Sequence, residues 1–129
     1  MTVYRSAVTL LLQIIYMSNQ DEFTADLLQG TLDLLVLRTL ASGPGHGYGI
    51  AGAVHDLTAG DLSIEDAALY QALHRLDRQG LVEAEWRPSE NNRRARYYTL
   101  TPAGRRRLKE ETVAWRRYSR AVEAVLEGR

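Results

Sequence analysis

Between Arg93 and Arg107 the chain carries six arginines and no aspartate or glutamate. The chemistry open to such a run is recognition of anions rather than the making or breaking of bonds. Just upstream, Tyr70, Gln71, His74, Arg75 and Arg78 fall at helical spacing opposite Leu69, Leu73 and Leu76, which gives one face rich in hydrogen-bond donors. Gln pairs with adenine, Arg with guanine or phosphate, and a Tyr hydroxyl with phosphate, so this face suits a major groove. A polar helix face alone is ordinarily just solvated, and the basic segment that follows it tips the balance towards double-stranded DNA. Tyr70 and Gln71 are the foremost base-proximal candidates, with His74 and Arg75 beside them.

Asn91, Asn92, Arg93 and Arg94 combine turn-forming amides with two cations, and Arg96 carries the charge into the next segment. Edge protection and solubility explain one or two such arginines, but less readily the whole cluster, which suits phosphate or a minor groove. Arg105, Arg106 and Arg107 open a helix, where cations oppose the macrodipole and need compensation from phosphates or acidic neighbours.

Enzymatic readings fare poorly. There is no cysteine, which removes thiol chemistry and cysteine-ligated metals and suits a cytoplasmic protein. His46, His55 and His74 are scattered, with no metal-ligand spacing and no nucleophile motif nearby. His46, between two glycines, is read as satisfying backbone groups at a helix start. Residues Gly47 to Gly52 read GYGIAG, the G-x-G-x-x-G of dinucleotide loops, but that motif must follow a parallel strand and here it follows a helix. No catalytic residue, cofactor or metal ligand is assigned.

The elements that must position these residues are legible from punctuation. Thr31 is placed to cap a first helix running to about Ala41, with Asp33 in its first turn. Leu32, Leu35, Val36 and Leu40 follow helical spacing, while Leu34 and Leu37 widen the apolar surface, so this helix is expected to be buried against its own domain and against a second chain. Gly43, Pro44 and Gly45 break it, and a second helix runs from Gly47 or Tyr48 to about Leu57. After the turn TAGDLS, Ser63 with Asp66 resembles a capping box for a third helix, with Asp66 itself as the other candidate cap. Gly80 ends that helix, LVEAEW (81–86) reads as a strand, RPSENNR as a turn and ARYYTL (95–100) as the return strand. Thr101 caps, and Pro102 begins, a long last helix.

In that last helix Leu108, Trp115 and Val122 recur every seven residues, with Tyr118 and Val125 at complementary positions and Glu111 interrupting the first heptad. So small a domain has nothing left to bury such a seam, which predicts a homodimer. The expected interface residues are Leu32, Leu35, Val36, Leu108, Trp115, Tyr118, Val122 and Val125.

A chain of 129 residues holds one core, with extensions. Sixteen basic and sixteen acidic residues balance at formal zero, so charge distribution, not net charge, carries the signal: acidic residues lie early and mid-chain, the arginines after them. The apolar stretch from Ala7 to Met17 is shorter than the ~20 residues a membrane span needs. No small-residue cleavage site follows it, and the residues before Met17 are read either as a segment packing on a partner or as sequence upstream of the true start, the latter preferred. The expected fold class is mainly α with a small β-hairpin: an N-terminal extension (1–26), a winged helix-turn-helix (27–101) and a C-terminal dimerisation helix (102–129).

Three stretches, GTLDLLVLRTLASGPGHGYGIA, LYQALHRLDRQGLVEAEW and ENNRRARYYTLTPAGRRRL, resemble in order the PadR family of bacterial transcriptional regulators, over roughly Leu27 to Leu126, and the short single last helix is like that of its smaller subfamily. The resemblance implies a dimeric repressor whose first and last helices form the dimer, whose third helix enters the major groove of a near-palindromic operator, and whose wing meets the backbone or minor groove. It also implies departures: Ala67 and Ala68 stand where relatives often have Gly followed by Ser or Thr, and Gln71 where they have Pro, so operator preference does not transfer. Trp115 matches a position where drug-sensing relatives place a tryptophan at the dimer centre, which opens a small aromatic effector as ligand, although ordinary dimer packing is the simpler reading. The alternative of another class is a winged-helix module that docks a protein partner through its arginines, without sequence-specific DNA binding.

Overall fold

The glycine at position 80 adopts φ +74° and turns the chain out of a helix in a double hydrogen-bonded cap. Gly80 N–H donates to the Asp77 carbonyl at 3.0 Å and Leu81 N–H to the Leu76 carbonyl at 2.9 Å, the paired bonds of a Schellman motif. Leu81 is thereby folded back into the core. This junction divides the helical half of the computed structural model from its β-hairpin, and it sets where the hairpin starts. The structure describes residues 30–88 and 90–128; the apolar stretch Ala7–Met17 and the question of the start lie outside the described residues.

The helix α1 spans 30–41, followed by β1 (Gly45–His46), α2 (Gly47–Leu57), α3 (Asp66–Arg78), β2 (Val82–Pro88), β3 (Arg94–Leu100) and α4 (Pro102–Leu126). The strands form one antiparallel sheet in the order β1-β3-β2. The two-residue strand β1 is not visible in the sequence: Gly45 pairs with Tyr98 and His46 with Tyr97, a pairing that needs β3, far along the chain, to supply the edge. In β2 against β3, Val82 faces Leu100, Ala84 faces Tyr98, Trp86 faces Arg96 and Pro88 faces Arg94. The turn is therefore shorter than RPSENNR, because Arg87 and Pro88 are still paired, and Asn92 turns the chain at φ +59°, a conformation Asn tolerates better than most residues.

Three capping expectations are corrected. Residue 30 is already helical, so Thr31 lies inside α1 and is not its N-cap. Helix α3 starts at Asp66 with Glu65 at the N-cap and no side-chain cap bond, so neither Ser63 nor Asp66 serves. Helix α2 is capped by His46, whose Nδ1 accepts from Gly49 N–H at 3.0 Å, and α4 by Thr101, whose Oγ1 accepts from Gly104 N–H at 3.0 Å.

One core joins these elements: Leu32, Val36, Leu37 and Leu40 of α1, Ile50 of α2, Leu69, Ala72, Leu73 and Leu76 of α3, then Leu81, Val82, Tyr98 and Leu100. Its spacing in α1 and α3 is that of single inward stripes, each removing apolar surface at roughly 25 cal/mol per Å². Among the described residues no buried side-chain nitrogen or oxygen lacks a partner, as a well-formed core requires. Val36 and Leu32 belong to this core, which corrects their expected place at a subunit interface: Val36 is fully buried within its own chain. Of the three α1 residues expected at that interface only Leu35, half-buried, keeps part of its surface. Leu108 likewise packs against the core rather than standing free in a seam.

Candidate nucleic-acid interface

Helix α3 buries Leu69, Ala72, Leu73 and Leu76, and this fixes what its other side presents. Gln71, His74 and Arg78 are exposed along the outward face, with Tyr70 at its edge, 57% exposed. The Tyr70 ring lies over the start of α2, where a Cβ at residue 47 would meet its hydroxyl at 3.3 Å; Gly47 is what lets the ring settle there.

Arg75 stands apart from this face. Its Nη2 lies 2.7 Å from Asp33 Oδ1 of α1, with both side chains about three-quarters buried. The expectation of a base or phosphate contact for Arg75 is corrected accordingly: its guanidinium is engaged across the α1–α3 interface, where it holds the third helix on the first. A sequence in which the two residues lie 42 apart gives no sign of the pairing.

The hairpin carries two faces by its pleat. On one, Val82, Ala84 and Trp86 align with Leu100, Tyr98, Arg96 and Arg94, buried at the base and exposed towards the tip. There Trp86, 55% exposed, lies under two guanidiniums, Arg94 and Arg96, each 5.7 Å from the ring centroid, within the range of cation–π attraction. Arg96 also approaches Asp77 of α3 at 3.9 Å. On the other face Arg87 pairs with Glu85 and sits 5.5 Å over the Tyr97 ring, while His46 meets Tyr97 edge-on at 5.1 Å. Arg93 and Arg94 have no acidic partner among the described residues, and Asn91, Asn92 and Arg93 are exposed.

Between α3, the start of α2 and the wing runs an open groove of about 480 Å³, lined by Tyr48, Tyr70, Trp86, Asn91, Arg93, Arg94 and Arg96 among others. The structure therefore brings together Tyr70, Asn91, Arg93, Arg94 and Arg96 on one groove, with Gln71 and His74 on the adjoining exposed face of α3, and leaves Arg75 out. Trp86 and Tyr48 are groove residues that sequence reasoning missed. The alternation of β2 was the available signal for Trp86: it shares a strand face with Val82 and Ala84, and only the register with β3 sets it opposite Arg96. The Tyr98 hydroxyl, deeper in the same groove, titrates above the usual tyrosine range because burial raises it, with Arg96 pulling it down and Asp77 and Tyr70 pushing it up.

Further along, the Arg105–Arg107 triplet has no acidic residue in the first turn of α4, and Arg107 finds Glu111 one turn on at 3.8 Å. Burial raises the Glu111 carboxyl above the usual range, Arg107 lowers it, and Asp33 and Glu110 raise it. Beyond Thr112 the helix leaves the core: Val113, Trp115, Tyr118, Val122, Val125 and Leu126 are all exposed, Trp115 to 44%, and the Trp115 and Tyr118 rings lie 6.1 Å apart. By helical spacing Trp115, Tyr118, Val122 and Val125 continue the side that packs Leu108 inward. The glycine-rich GYGIAG falls in the first turns of α2, after a short antiparallel strand, and its Gly49 N–H is already taken by His46. That is not the context of a dinucleotide loop. No cluster of metal-binding side chains occurs among the described residues, nor a helix long and apolar enough to cross a membrane.

A helix with an exposed donor face, backed by a basic two-stranded wing and a long terminal helix, defines a winged helix-turn-helix protein. The model of the PadR-like family of transcriptional regulators matches residues 36–110, and the chain belongs to that family. Its fold is similar to the crystal structure of a PadR family transcriptional regulator from Eggerthella lenta, with 30% identity and a TM-score of 0.72 over 90% of this chain and 99% of that one. A transcriptional regulator from Clostridium thermocellum is similar at 26% identity and a TM-score of 0.70, over 77% and 96%. In sequence, a 37.1 kDa protein of a Streptomyces fradiae transposon is 42% identical over 69% of this chain, which spans 24% of that longer protein. Family and neighbours are transcriptional regulators and not enzymes.

Proposed function

We propose that the protein is a cytoplasmic, dimeric repressor that binds a near-palindromic operator through α3 and the wing. The observation that carries this reading is the groove in which Tyr70, Arg93, Arg94 and Arg96 converge while Arg93 and Arg94 stay without acidic partners among the described residues. Gln71, with His74 near it, reads base edges; Arg93, Arg94 and the turn amides of Asn91 and Asn92 meet phosphate. The exposed stripe of Trp115, Tyr118, Val122 and Val125 supports a second copy as its cover, since a terminal helix this apolar is otherwise a liability. Two-fold pairing of winged helices in turn requires two half-sites. Trp115 at such a dimer centre offers a flat surface for a small aromatic effector that would release the operator.

The test is binding of the purified protein to the DNA upstream of its own gene, against an unrelated duplex of equal length, at moderate and high salt. Selective, salt-sensitive binding supports the operator reading. Equal weak binding to both duplexes counts against it and favours the protein-docking alternative, for which the near-balanced overall charge leaves room.

A further inference from the structure

Arg96 differs from its neighbours in the wing. Arg93 and Arg94 have no carboxylate partner among the described residues, whereas Arg96 Nη2 lies 3.9 Å from Asp77 Oδ2 on α3; like that of Arg94, its guanidinium also covers the Trp86 ring at 5.7 Å. Trp86 is its direct cross-strand partner, so ring and guanidinium are held together by the register itself. Asp77 sits two positions from the C-cap of α3, where a carboxylate opposes the helix dipole, and a cation beside it relieves that conflict. The contact joins α3 to β3, which follow one another in the chain only by way of the Gln79–Gly80 cap, β2 and the wing turn, and it sits towards the open end of the groove, beyond the buried base formed by Val82, Leu100 and Tyr98.

We propose that Arg96 is a positioning residue, a brace that ties the wing to the recognition helix through Asp77 with Trp86 as its platform, and so sets the angle at which Arg93 and Arg94 are presented. The proposal rests on the reading of this groove as the DNA-binding surface only for its functional consequence; the brace itself is a property of the free protein. The Tyr98 hydroxyl, which feels both Arg96 and Asp77, lies at the root of the same brace.

The role separates from a direct phosphate contact by the sign of one substitution. If Arg96 served DNA directly, Asp77 would merely repel the duplex, and Asp77→Asn would tighten binding. As a brace it does the reverse: Asp77→Asn weakens operator binding by up to about fivefold, the scale of a partly exposed ion pair, and Arg96→Ala in the Asp77→Asn background adds little more. Arg96→Ala also leaves the slope of affinity against salt unchanged, whereas Arg94→Ala lowers it by about 0.9. A readout without DNA uses the Trp115→Phe protein, in which Trp86 is the remaining tryptophan of the two: Asp77→Asn and Arg96→Lys each raise quenching of Trp86 by acrylamide, at an unchanged urea midpoint. Tighter DNA binding by Asp77→Asn, or Trp86 quenching that neither variant moves, overturns the brace. A wild-type protein that binds no DNA but shows the quenching response would instead overturn the proposed function and leave the brace standing.

Discussion

Gly104 faces the carbonyl of Leu81 so closely that a Cβ at residue 104 would lie 2.1 Å from the Leu81 oxygen and 2.6 Å from Leu100 Cδ1. The first turn of α4 is thus pressed directly on the chain leaving α3. Thr101 holds the junction: its N–H donates to the Leu81 carbonyl at 3.1 Å and its hydroxyl to the Gly80 carbonyl at 2.8 Å. Helix α3, the base of the wing and the last helix are fixed to one another here, chiefly through backbone groups.

Replacing Gly104 with Ala is therefore expected to destabilise the fold, against the usual gain of about 0.5–1 kcal/mol when Ala replaces Gly inside a helix. The obstructing atom is a backbone oxygen already held by Thr101, so the overpacking cost, about 1–3 kcal/mol, should exceed that gain. Urea unfolding monitored by circular dichroism checks it; an unchanged or higher midpoint would sink the argument.

Arg93→Ala with Arg94→Ala is expected to weaken DNA binding across all sequences and to lower the salt slope by about 0.9 for each phosphate no longer neutralised. Titrations over a range of salt concentrations give the slope. Parallel lines for wild type and variant would remove the wing tip from the interface.

Gln71→Ala should behave differently, costing on the order of 1–3 kcal/mol at particular base pairs because a bidentate adenine contact is removed. Binding to a set of singly substituted operators distinguishes the cases. An equal fall in affinity on every sequence would make Gln71 a positioning contact.

For Trp115→Ala the expected outcome is a weaker dimer, by about 2 kcal/mol or more if Trp115 is a central anchor of the interface, with operator affinity falling in step. Sedimentation over a range of concentrations measures it, and an intact dimer at low concentration would refute the seam.

The raised Glu111 carboxyl carries a pH consequence. Because burial lifts its folded value above the unfolded one, its ionisation favours the unfolded chain, so it lowers stability as pH rises from the ordinary carboxylate value through the raised one. Glu111→Gln is expected to be slightly more stable than wild type at neutral pH, with the advantage fading as pH falls from the raised carboxyl value to the ordinary one and gone below about pH 4, where the carboxyl is protonated in both states. Thermal unfolding at neutral and acidic pH tests the sign.

Local signals determined much of this protein without any structure. The stripe of Leu69, Leu73 and Leu76, the C-terminal Gly80, the hairpin between it and Thr101, and the Thr101–Pro102 helix start all depend on residues a few positions apart, where periodicity and backbone preference act directly. Ordered together they also carried the family. Tertiary packing alone decided the rest, because each outcome joins residues distant in the chain. It paired the Gly45–His46 strand with Tyr97 and Tyr98, drew Arg75 away from the donor face to Asp33, and took Leu32 and Val36 into the core. It also set Trp86 beneath Arg94 and Arg96 and left Gly104 no room for a side chain. A charge or an apolar side chain announces that it needs a partner; which partner it finds is fixed only when the elements close on one another.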